Sequence, residues 1–72
     1  MKGITIHTDN RETAEEIRET LSRNYADHIN CYYFDGKWFV ELEGDDIEMN
    51  TAEQALNANF GADEMTYEID NF

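Results

Sequence analysis

A chain of 72 residues has room for one domain of modest stability, because a domain this small buries only about 60% of the surface its unfolded chain exposes. Seventeen acidic residues against five basic ones give a net charge of -12, which disfavours direct binding to nucleic acid or to anionic membranes, since both need Lys and Arg to neutralise phosphate. The single cysteine, Cys31, excludes an intramolecular disulfide and a thiolate zinc cluster, and 40% hydrophobic content excludes a disordered acidic tail.

Residues 1–72 read as a single domain without repeat, linker or low-complexity tract. No charged leader with an apolar run opens the chain, and no stretch approaches the roughly 20 apolar residues that span a bilayer, so the expectation is a soluble, cytoplasmic protein.

Gly3 to Thr8 alternates Ile4 and Ile6 against Thr5 and His7, the period of a strand. Asp9, three residues before Glu12, is the expected cap of a first helix. Its apolar stripe is Ala14, Ile17, Leu21 and Tyr25 at spacings of three and four. The outer face carries Arg11, Glu15, Arg18, Glu19 and Arg23, with Glu19 and Arg23 spaced for an i,i+4 pair.

Asp35-Gly36, between two runs of β-branched and aromatic residues, signals a two-residue hairpin. That turn fixes a register from Phe34 opposite Lys37 to Ile29 opposite Leu42 and His28 opposite Glu43. One face then collects Ile29, Cys31, Tyr33, Trp38, Val40 and Leu42 as core. The other collects His28, Asn30, Tyr32, Phe34, Phe39, Glu41 and Glu43.

Asn50 or Thr51 is the expected cap of a second helix whose buried stripe is Ala52, Ala55, Leu56 and Phe60, with Gly61 ending it in the left-handed conformation. Glu64 to Asp70 alternates again, Met65, Tyr67 and Ile69 against Glu64, Thr66, Glu68 and Asp70. The order βαββαβ predicts an α+β domain of ferredoxin-like type, a four-stranded antiparallel sheet with two helices on one face and the first and third strands central.

No catalytic motif is present, and no cofactor or metal is expected. His28 and Cys31, three apart on a strand, point to opposite faces and cannot chelate one ion without a bulge. Cys31 sits among apolar neighbours, which do not activate a thiol, so it reads as a core residue and not as a nucleophile. The stretch Gly44–Glu53 lacks the oxygen ladder of an EF-hand calcium loop.

The chain's charge is lopsided. Residues 1–37 hold seven acids and all five bases, whereas residues 38–72 hold ten acids and no base. Two readings of this are open, a solubility or salt-adaptation device and a functional surface. On the second reading Glu41 and Glu43 form one row of charge and Glu68 and Asp70 another, with Glu64 also counted among the partner-binding residues. Asp45, Asp46, Glu48 and Glu53 extend the belt around the following loop and first helical turn, beside the aromatics Tyr32 and Phe39. Such rows approximate a phosphate track and suit the Arg- and Lys-lined groove of a nucleic-acid-binding protein.

A strongly acidic, Cys-poor α/β chain of this size without enzyme motifs resembles small phage-encoded inhibitors, anti-CRISPR proteins and DNA mimics among them. The resemblance implies an inhibitor acting in the host bacterial cytoplasm on a basic nucleic-acid-binding partner, CRISPR effector complexes included, as monomer or homodimer. The alternative is a small homo-oligomeric regulatory or ligand-binding domain that uses the aromatic sheet face.

Overall fold

Asp35 and Gly36 both take positive φ, 52° and 80°, as the central residues of a type I′ turn must. The strands they join are β2, Ile29–Phe34, and β3, Lys37–Gly44. Every expected pair from Phe34 with Lys37 to Ile29 with Leu42 is present. The structure, a computed structural model, describes residues 2–25 and 29–71, and of residues 23–25 the backbone alone. The His28–Glu43 and Glu19–Arg23 pairings and the Tyr25 end of the helical stripe lie outside the described residues and side chains.

The full order is β1 (Lys2–Thr8), α1 (Arg11–Tyr25), β2, β3, α2 (Asp46–Asn59) and β4 (Thr66–Asn71). The sheet runs β2-β3-β1-β4, antiparallel throughout, with the first and third strands central and both helices on one face. This is the ferredoxin-like arrangement. Its radius of gyration is 11.0 Å, as a compact domain of this length requires.

The core lies between sheet and helices. Ile4 and Ile6 of β1 and Val40 and Leu42 of β3 pair across the sheet centre and are fully buried. Ala14, Ile17 and Leu21 meet them from α1; Met49, Ala52 and Leu56 do so from α2. Each large aliphatic side chain buried here contributes about 1.5–3 kcal/mol. Trp38 packs half-buried at the margin, with the Arg11 guanidinium 5.8 Å from the ring centre; Tyr33, expected in the core, is exposed near the hairpin tip and tilts against Trp38 at 5.0 Å.

The helix ends differ from expectation. Asn10, not Asp9, caps α1: its side-chain oxygen accepts the Glu12 N–H at 2.8 Å and that of Thr13 at 3.4 Å. The second helix starts five residues before Thr51, because Asp45 caps it. Asp45 Oδ1 accepts the Glu48 N–H at 2.8 Å while Glu48 Oε1 accepts the Asp45 N–H at 3.4 Å, a reciprocal capping box. At the other end the cap is Phe60 in an extended conformation, donating its N–H to the Leu56 carbonyl, and Gly61 is not left-handed. The last strand begins at Thr66 and not at Glu64, since residues 61–64 form a turn closed by the Glu64 N–H on the Gly61 carbonyl.

Candidate functional site

Helices cover one side of the sheet, and side-chain alternation sends the other half of each strand to the open side. The register sets three rows there. Tyr32, Phe39, His7 and Thr66 lie in one; Asn30, Glu41, Thr5 and Glu68 in the next; Glu43, Gly3 and Asp70 in the third.

The first row is aromatic. Tyr32 and Phe39 stack at 5.1 Å with 12° between the rings, and His7 tilts against the far side of the pair, 4.9 Å from Phe39. Such contacts favour a fixed arrangement. His7 Nε2 is buried there without a hydrogen-bond partner.

The second and third rows hold four carboxylates at the corners of a quadrilateral. Glu41 and Glu43 are separated by about 6.8 Å along β3, as are Glu68 and Asp70 along β4, and β1 keeps the two strands about 9.6 Å apart. Between the corners stand only Thr5 and Gly3, neither of which supplies a cation. None of the four carboxylates is in an ion pair among the described residues. The rings and acids sense one another, because loss of solvent and the adjacent charge of Glu41 raise the Tyr32 pKa above its ordinary value.

Six of the expected site residues thus share one face: Tyr32, Phe39, Glu41, Glu43, Glu68 and Asp70. The expected single belt does not extend to the remaining five. Asp45, Asp46 and Glu48 continue the chain from Glu43 into the first turn of α2, where the helix dipole favours them, and two of the three are committed to the capping box. Glu53 lies in the helix layer and accepts the Tyr67 hydroxyl at 2.8 Å, and Asn57 donates to that hydroxyl at 3.0 Å. This network ties α2 to β4. Glu64 sits in the turn before β4, its carboxylate accepting the Gly61 N–H and its carbonyl accepting the Thr8 hydroxyl.

His7, placed beside Phe39, is the face residue that the sequence reading missed. The alternation of Gly3–Thr8 set it opposite Ile4 and Ile6, but no tight turn links β1 to β3 and so nothing in the sequence fixed its neighbour.

Three of the basic residues are placed away from the four carboxylates. Lys2 points to the helix side and donates to Asn50 at 2.9 Å, Arg11 pairs with Glu15 at 3.2 Å, and Lys37 is at the aromatic end of the open face beside Phe34. Among the described residues no three His, Cys, Asp or Glu side chains are grouped to hold a metal, and no helix is long and apolar enough to cross a membrane. No family model matches the chain, and no curated protein does.

Proposed function

We propose that the chain is a non-enzymatic acidic binding module that occupies the nucleic-acid-binding surface of a basic protein and so inhibits it. The observation that carries this reading is the quadrilateral of Glu41, Glu43, Glu68 and Asp70 on one sheet face, in no ion pair among the described residues. Strands fix the spacing of these charges, so a groove built to release counterions from phosphates meets an ordered set of carboxylates and pairs its Arg and Lys with them. Tyr32 and Phe39 beside the acids offer ring faces on which guanidinium groups stack. The Glu48 N–H holds the Asp45 carboxyl below its ordinary value, the opposite of the raised carboxyl that acid catalysis asks for.

The resemblance to phage-encoded inhibitors makes CRISPR effector complexes the first targets to test and the bacterial cytoplasm the place of action. The test is capture of nucleic-acid-binding proteins from bacterial lysate by the immobilised chain, followed by release with excess double-stranded DNA. The expected result is capture that weakens as salt rises, yields to DNA, and disappears when Glu41, Glu43, Glu68 and Asp70 are all changed to Lys with the circular dichroism spectrum unchanged. Binding that survives in the folded quadruple variant, or that DNA does not displace, would overturn the proposal.

A further inference from the structure

The two edges of the sheet, β2 and β4, are finished in different ways. Along β4 stand Glu68 and Asp70, side chains of the kind that keep an edge from pairing with a further strand. β2, Ile29–Phe34, has no charged residue and no proline, in a chain of which 31% is charged. Three of the four large exposed hydrophobic side chains among the described residues are on it, Tyr32, Tyr33 and Phe34 at 37%, 59% and 65% exposure. Natural edge strands are seldom left so unguarded.

The direction of its backbone groups follows from the turn. A two-residue loop makes Phe34 and Lys37 a hydrogen-bonded pair, so Phe34, Tyr32 and Asn30 direct their N–H and C=O groups to β3. Those of Tyr33, Cys31 and Ile29 point away from the sheet, evenly disposed about Cys31, and no strand of the described chain lies beyond them.

We propose that β2 pairs antiparallel with β2 of a second copy about a two-fold axis at Cys31, joining two sheets into one of eight strands. In this register Cys31 meets its own counterpart, Ile29 meets Tyr33 and Asn30 meets Tyr32, so all the outward backbone groups of the strand are satisfied and no charge within Ile29–Phe34 opposes another. Charge selects the second copy's approach. Each chain carries a net -12, and contact through the acidic sheet face or the α2 start sets carboxylate against carboxylate, whereas β2 is a charge-free line. An axis perpendicular to the sheet leaves both open faces on the same side, so the dimer displays two sets of four carboxylates together.

The inference stands on the edge and not on the acidic face, and its salt dependence has the opposite sign: screening strengthens an association between like-charged copies and weakens a bond to a basic partner. The test is sedimentation equilibrium of the 72-residue chain at roughly 0.05 and 0.5 M salt up to about 1 mM protein, with hydrogen exchange read by NMR. The expected result is a dimer that strengthens with salt, in which the amides of Ile29, Cys31 and Tyr33 gain protection as protein concentration rises. Y33E, an acid at an exposed edge position, is expected to stay monomeric at concentrations where the wild type pairs. A monomer under all these conditions, or a dimer whose newly protected amides lie outside β2, would overturn the proposal. The exchange measurement uses the wild type and so does not depend on the variant folding.

Discussion

Asp45 shows how one carboxylate in an acid-rich stretch becomes structural. Its oxygen accepts the Glu48 N–H at 2.8 Å, and that bond is the chief reason its carboxyl is held below the ordinary value, against the smaller opposing effect of burial. A group whose pKa is depressed on folding contributes stability above its unfolded pKa and loses that contribution as pH falls through the folded value. The wild type is therefore expected to lose thermal stability below about pH 4 more steeply than Asp45→Asn, which keeps an acceptor but cannot titrate. Thermal midpoints measured from pH 7 down to about pH 2 check this, and equal slopes would refute it. At this scale the sequence was least legible. Glu53 and Asp45 look like their acidic neighbours until Tyr67, fourteen residues along from Glu53, and the Glu48 amide are placed beside them.

At the scale of elements, legibility followed the length of the connection. Asp35-Gly36 admits one loop length, and that fixed every pair described between β2 and β3. The partners of β1 depend on crossovers that contain whole helices, so the meeting of His7 with Phe39 became visible only once the sheet had closed. Helix starts were ambiguous for a local reason: Thr8, Asp9 and Asn10 are all competent caps, and only backbone direction decides among them. The structure places the cap at Asn10, so Asn10→Ala is expected to cost about 1 kcal/mol, or about 4–8 °C in a domain of this size, while Asp9→Ala stays within about 0.5 kcal/mol. Urea unfolding of the two variants distinguishes them, and the reverse order would reassign the cap. In α2 the acids of Gly44-Asp45-Asp46 resembled a turn, which hid the earlier start and with it the burial of Met49.

For the whole molecule, folding gathers twelve uncompensated negative charges into a body with a radius of gyration of 11.0 Å. Compaction at that charge works against self-repulsion, and salt relieves it as the screening length drops from about 10 Å at 0.1 M to about 3 Å at 1 M. The urea midpoint is expected to rise over that range of sodium chloride. A midpoint that stays level or falls would mean that the charges are spaced too widely to oppose folding. Composition alone announced the surplus of acid and its bias to the second half of the chain. Which acids share a face depended on strand order, which brought Glu41 and Glu43 beside Glu68 and Asp70, while Glu53 on α2 and Glu64 in the turn before β4 stand apart from them.

Trp38 is the chain's one indole, and it stands where the tip of the hairpin meets the first turn of α1, between Tyr33 and the Arg11 guanidinium. Its fluorescence is therefore a built-in local gauge, reporting the seating of two non-adjacent segments against each other without any attached dye.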